Sequence, residues 1–222
     1  MAEGVIDKTI PGVQSDGDAP SKGVRTRERI MDIAEEAILH KGFAATSIDE
    51  LVEAAGITKS GFFYHFHDKN DLARQIVARF SERDNRILDQ LTERARSLSD
   101  DPLQSFLIFI RLFAETMDDL PELHPGCLAA SITYQERFFD REVTRLIRET
   151  AIGWRTRFHD WLSEIAELYP PAIPADLTAL ADHFTVVADG GIITSRALGD
   201  KAIIGRQMRL LHDHVKLLFG GR

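Results

Sequence analysis

The sequence predicts an all-α protein with a short N-terminal group of helices and a longer helical bundle behind it. Three observations lead there. Apolar residues recur every three or four positions through most of the chain. The segments between them carry Ser, Thr or Asp starts and Gly or Pro stops. No run alternates as a half-buried strand would, and no segment repeats. The chain has 222 residues, 44% of them hydrophobic, enough for a head of about 50 residues and a larger core domain.

Residues 1–22 mix Gly, Pro, Asp and Ser with few apolar anchors and read as a disordered tail. A first helix is expected over 25–40, with Ile30, Ile33, Ala34, Ala37 and Ile38 on one face, ended by Lys41-Gly42. Ser47 is a good N-cap, and Glu50 three residues on completes a capping box. Leu51, Val52, Ala54 and Ala55 give this second helix its apolar face. Gly56 follows, the residue best able to take positive φ at a helix end. Thr58 caps a third helix running to about Phe66, with Ile57 and Phe62 as its core anchors.

A long helix starts near Asn70, with Leu72, Ile76, Phe80, Ile87, Leu91, Ala95 and Leu98 at helical spacing, apart from a polar gap at Asp84. After Asp101-Pro102 the run LQSFLIFIRLFAETM is apolar on nearly every side, as suits the middle of a bundle. Pro121 and Pro125-Gly126 interrupt the chain before CLAASITYQER, which reads as one more helix. A long helix over 140–168 carries Val143, Ile147, Ala151, Trp154, Phe158, Trp161 and Ile165, and Tyr169-Pro170-Pro171 stops it. Two final helices are expected over 175–198 and 201–219.

The stretch from Ser47 to Lys69 carries the functional signal. Two short helices meet at a tight Gly turn, the layout of a helix-turn-helix. Lys59, Ser60 and Gly61 then lie at the exposed start of the second helix, where a recognition helix meets base edges in the major groove. Gly61 costs about 1 kcal/mol of helix propensity relative to Ala, and close approach of backbone to DNA is the expected return. Phe63, Tyr64, His65 and Lys69 stand further along, where side chains hold phosphates.

Residues 25–72 resemble, without a gap, the DNA-binding head of the TetR family of transcriptional regulators. The resemblance rests on Ile30 and Ala34, Gly42-Phe43, Thr46-Ser47, Ala55-Gly56-Ile57, Phe63-Tyr64-His65-Phe66 and Lys69. It implies DNA contacts from Arg25, Arg27, Thr46, Ser47, Thr58, Lys59, Ser60, Gly61, Phe63, Tyr64, His65 and Lys69. One position departs from the family, which usually has Tyr where this chain has Phe63. The ring is kept and the hydroxyl lost, leaving Tyr64 or His65 to replace its hydrogen bond.

The same resemblance implies a tail over 1–22, a helix-turn-helix DNA-binding domain over 23–69, and an effector-binding and dimerisation domain over 70–222. TetR-like proteins dimerise through their last two helices. Here those helices offer Val187, Gly190 and Gly191 on one, and a stripe of Ile204, Met208, Leu211, Val215 and Leu218 on the other. A symmetric homodimer would set two recognition helices about 34–36 Å apart, on a palindromic operator. Effector candidates in the body are Trp154, Phe158, Trp161, His183 and Arg196. Cys127 has two readings, a small buried residue or a reactive thiol near a helix start.

Charge constrains this assignment. The net charge is −8, and residues 22–69 hold seven Lys or Arg against eight acids. The head is therefore no basic patch, and its cations must be placed facing DNA, with Asp32, Glu35, Glu36 and Glu53 turned away. A single Cys allows no internal disulfide and fits a reducing cytoplasm. No apolar run approaches a membrane span, and the N-terminus lacks the apolar core of a signal peptide. His65 with His67 and His212 with His214 stand two apart and point in different directions; His124 and Cys127 could face one metal across a turn, but no further ligands cluster with them, and no metal or cofactor is expected. The leading function is a repressor released from its operator by a small molecule or by modification of Cys127. The alternative is a constitutive DNA-binding or activating protein. An enzyme on a helical scaffold ranks below both, because no P-loop, GxSxG, HExxH or acid–base constellation occurs.

Overall fold

The computed structural model describes residues 21–220. Within them lie α1 (Lys22–Lys41), α2 (Ile48–Ala54), α3 (Lys59–His65), α4 (Lys69–Leu98) and α5 (Pro102–Asp118). These are followed by α6 (Leu128–Thr133), a 3-10 turn at Glu136–Phe138, α7 (Arg141–Leu168), α8 (Leu177–Leu198) and α9 (Ile203–Phe219). Among the described residues there is no strand, so the protein is all-α as expected. Most of the expected 1–22 tail lies outside the described residues. Its last member, Lys22, already belongs to α1, which starts three residues early because the Ser21 hydroxyl accepts the Val24 N–H at 3.3 Å.

The chain forms two compact units, and they do not follow the boundary expected at 69/70. The first comprises residues 21–83 and 125–149; the second comprises 84–124 and 150–220. The physical reason is shared apolar burial. Leu72, Ala73, Ile76 and Val77 of α4, Leu128 and Ile132 of α6, and Val143 of α7 join Ile30, Ala34, Leu51 and Phe62 in one core. The helix expected over CLAASITYQER is correspondingly short. After α6 the chain tightens into the 3-10 turn, and Phe139 tilts against Phe43 with ring centroids 4.1 Å apart.

Ion pairs reinforce this first unit. Arg79 of α4 meets three carboxylates of α1, with Glu28 at 2.9 Å, Asp32 at 2.7 Å and Glu35 at 2.9 Å. Arg83 adds a second contact to Glu35 at 2.6 Å. Arg74 binds Asp140 at the start of α7.

The second unit is built around aromatic rings. Phe184 of α8 lies 4.2 Å from Phe158 of α7 and 5.6 Å from Phe109 of α5, centroid to centroid. Trp161 packs 5.5 Å from Phe109, and its indole N–H donates to the Pro102 carbonyl at 3.1 Å. Burying one such side chain stabilises by about 1.5–3 kcal/mol. α9 lies against α5 and α8, and Gly191 permits the latter contact. A Cβ there would sit 3.2 Å from the Ile204 Cα. Among the described residues, no helix is long and apolar enough to cross a membrane.

Candidate nucleic-acid interface

The helix-turn-helix forms from the local signals in its sequence. The Ser47 hydroxyl accepts the Glu50 N–H at 3.2 Å and so starts α2. Gly56 takes φ +61° at the turn, and the Ile57 N–H returns to the Val52 carbonyl at 3.0 Å. The Thr58 hydroxyl then accepts the Gly61 N–H at 3.1 Å and starts α3. Leu51 and Phe62 are buried where the two helices meet, with Ile57 half-buried beside them. Phe66, just past α3, is buried too and packs against Phe62 with centroids 5.5 Å apart.

With Phe62 and Phe66 holding one side of α3, its other side is open. Lys59 and Ser60 are exposed, as are Phe63 and Tyr64 one turn later. Tyr64 is 83% exposed and Phe63 48%, which is uncommon for rings in a folded domain and marks a surface for contact. The exposed group combines an ammonium, hydroxyls and two rings on a helix anchored from behind. It can donate to phosphate and base edges and lay apolar area against a groove wall.

Two expected contacts are placed differently. Thr46 is 1% exposed, and its hydroxyl donates to the Gly42 carbonyl at 2.9 Å. It closes the turn after α1 and is unavailable to a ligand. Lys69 also turns inward. Its ammonium donates to the Phe43 carbonyl and lies 4.0 Å from the centre of the Phe43 ring. Burial, with the nearby Lys41 charge, lowers its pKa from the ordinary lysine value. These observations give Lys69 a structural task, tying the start of α4 to the α1–α2 connection.

Three other cations of the head, Arg27, Lys59 and Lys41, have partners of their own. Arg27 is half-buried, bonded to Gln75 and 3.4 Å from Glu28. Lys59 pairs with Asp49 of α2 at 2.9 Å, both exposed, and Lys41 pairs with Glu50, whose carboxyl it holds below the usual range. Nothing in the sequence marks Asp49, because its proximity to Lys59 depends on how α2 and α3 cross. Arg25, Ser47, Thr58 and Ser60 are exposed and His65 is half-buried. Asp32 and Glu35, expected to face away from DNA, are held by Arg79 and Arg83.

Residues 30–76 match the family model described as bacterial regulatory proteins, tetR family. Over these residues the chain is similar to the TetR family of transcriptional regulators. Similar relatives include the regulator AcrR of Shigella flexneri, 39% identical over 51 residues, which cover 23% of this chain and 24% of AcrR. The repressor BepR of Brucella suis is 31% identical over 100 residues, 42% of this chain and 46% of BepR. The chain thus spans from a quarter to under half of these relatives. A TetR-family regulator from Agrobacterium tumefaciens has a similar fold, with a TM-score of 0.72 at 20% identity, covering 87% of this chain and 98% of that one. These relatives are transcriptional regulators.

Outside the head, several expected site residues have packing roles. Phe158 and Trp161 lie within the ring cluster of the second unit, 1% and 2% exposed, and Trp154 is buried as well. His183 is half-buried beside His214, ring centroids 5.7 Å apart, and Arg196 donates to the His124 carbonyl at 3.2 Å. Cys127 is half-buried and caps α6, its Sγ accepting the Ala130 N–H at 3.5 Å. It belongs to the first unit, with the DNA-binding head, and not to the body as expected.

The dimer candidates need the clearest correction. Gly191, Ile204, Met208, Leu211, Val215 and Leu218 are buried within the protomer. They point inward because this stripe is what seats α9 on α5 and α8. The apolar residues left outside are Val186, Ile193 and Leu198 on α8 and Leu210 and Leu217 on α9, with Gly190 also exposed and Val187 half-buried.

Proposed function

We propose that this protein is an operator-binding repressor that acts as a homodimer and loses affinity when an effector or a modification at Cys127 alters its head. The observation that carries the reading is the exposed face of α3, set on a buried Phe62–Phe66 anchor and matching the TetR-family head. Lys59, Ser60 and Gly61 address base edges, while Arg25, Ser47, Thr58, Phe63, Tyr64 and His65 hold phosphates or the groove wall. The similar protein BepR is a repressor, which favours repression over activation.

The exposed α8–α9 residues support the dimer. Val186, Gly190 and Ile193 recur at helical spacing, as do Leu210 and Leu217, giving each helix an apolar strip left exposed among the described residues. A two-fold axis through these strips makes a four-helix contact and doubles the recognition helix.

Cys127 supports a thiol-responsive version of the same repressor. Modification there would displace the cap of α6, and Leu128 and Ile132 of α6 share an apolar core with Ile30, Ala34 and Phe62. The route from thiol to recognition helix therefore stays inside one packed unit.

The test is selection of bound duplexes from a random DNA pool, followed by fluorescence anisotropy at increasing salt. A palindromic consensus and a steep fall of affinity with salt are expected. Failure to enrich any sequence refutes the operator reading. Alkylation with N-ethylmaleimide should weaken binding by the wild type and leave Cys127→Ser unaffected. Equal loss in both proteins would exclude Cys127.

A further inference from the structure

A pocket of about 180 Å³ opens between α5 and α9, lined by Gln104, Leu107, Ile108, Arg111, His212 and Lys216. The four residues from α5 fall at i, i+3, i+4 and i+7, and the two from α9 at i and i+4, so each helix presents one face to it. Leu107 is buried and Ile108 half-buried, which makes the floor apolar. Arg111 and Lys216 are exposed at the rim.

The charges in this pocket are uncompensated. Among the described residues, neither the Arg111 guanidinium nor the Lys216 ammonium has a hydrogen bond or ion pair. Their neighbours on the same helices differ. Arg209 pairs with Asp118 at 2.7 Å, and Arg206 with Asp200 at 2.6 Å. His212 adds an imidazole whose Nδ1 lies 2.9 Å from the exposed Asp213 carboxylate, which leaves Nε2 as its other polar atom. Two unpaired cations over an apolar floor are unexpected in a chain of net charge −8.

We propose that this pocket is a binding site for a small organic anion, a monocarboxylate with a short apolar or aromatic body. Arg111 supplies a planar fork that fits both oxygens of a carboxylate, and Lys216 supplies a point charge beside it. Leu107 and Ile108 take the apolar body out of water, and the Gln104 amide offers a further donor. Inorganic phosphate satisfies the cations and leaves the floor wet, so it is the poorer ligand. Positions 212 and 216 lie on a different side of α9 from Leu210 and Leu217, so a second copy on the latter face leaves the pocket open. The proposal is independent of the operator reading, because binding is measured without DNA.

Isothermal titration of the full chain with sodium benzoate tests it, with benzyl alcohol and inorganic phosphate as the other arms. One saturable benzoate per chain is expected, with both comparison ligands binding at least about tenfold more weakly, equivalent to about 1.4 kcal/mol. Arg111→Gln and Lys216→Gln should each weaken benzoate by about the same factor. Circular dichroism checks that each variant is folded, and both side chains are exposed enough for that to be expected. Absence of saturation overturns the site. So do benzoate affinities unchanged in both variants, benzyl alcohol binding as tightly as benzoate, or phosphate binding as tightly as benzoate.

Discussion

Gly61→Ala separates what α3 needs to fold from what it needs to read DNA. Gly61 is the third residue of α3, and its backbone does not require glycine, since it is absent from the positive-φ positions. A Cβ built there would meet the Thr58 Oγ1 at 3.4 Å and the Ile57 Cβ at 3.7 Å, ordinary contacts that disturb neither the cap nor the core. Alanine should therefore stabilise the head by up to about 1 kcal/mol through helix propensity. In a chain of this size that raises Tm by about 2–4 °C. On DNA the sign reverses on the proposed reading, because the added methyl would stand on the side of α3 away from the Phe62–Phe66 anchor, the side proposed to face the groove. A loss of about tenfold in operator affinity is expected, about 1.4 kcal/mol. Thermal melting and anisotropy on a selected operator read the two effects separately. A higher Tm with unchanged affinity would refute close backbone approach at Gly61. A fall in Tm would refute the packing argument itself.

Phe63→Tyr restores a hydroxyl on a half-exposed ring and should tighten operator binding about fivefold, near 1 kcal/mol; no change in anisotropy would remove this position from the phosphate contacts. Arg79→Met takes away the cation that Glu28, Asp32 and Glu35 share, leaving Arg83 on Glu35 and the more distant Arg27 on Glu28. It should lower stability in urea by about 2–4 kcal/mol, and a loss under about 0.5 kcal/mol would show that solvent already screens these pairs. Leu217→Glu, at a position 79% exposed, should give a folded monomer by sedimentation, whereas Met208→Ala, fully buried, should cost about 2–5 kcal/mol; dimers persisting in Leu217→Glu would move the interface elsewhere. His183 has its pKa pushed below the ordinary 6.5 by burial and by His214. The unfolded chain then takes up the proton first, so stability should fall as pH drops below 6.5 and level off beneath the folded pKa. His183→Asn should flatten that limb of the pH profile.

The head was readable because its structure is decided locally. Ser47, Gly56 and Thr58 act on backbone groups within five residues of themselves, and Phe62 is fixed by the period of its own helix. Sequence does not decide a position where a residue's environment depends on another helix. Periodicity showed that Ile204, Met208 and Leu211 share a face, but a face buried against α5 and one buried against a second protomer have the same period. Lys69 reads as a free cation until Phe43, 26 positions earlier, presents its carbonyl. The division between units was hidden for the same reason. Leu128 and Ile132 look like any short apolar pair, and only the fold places them in the core of the head.

That shared core bears on how an acidic chain can bind an acidic polymer. Glu28, Asp32 and Glu35 of α1 are drawn toward Arg79 and Arg83, which reduces the uncompensated negative charge of the head. On α3 itself Lys59 is held by Asp49 in the free protein, so on the proposed reading DNA must exchange one anion for another. An exposed pair of this kind is worth about 0–1 kcal/mol, so the exchange costs little. It also means that Lys59 releases fewer counterions than an unpaired lysine would, and the salt dependence should be shallower than a count of nearby cations suggests. Removing Asp49 should then steepen that dependence and raise operator affinity.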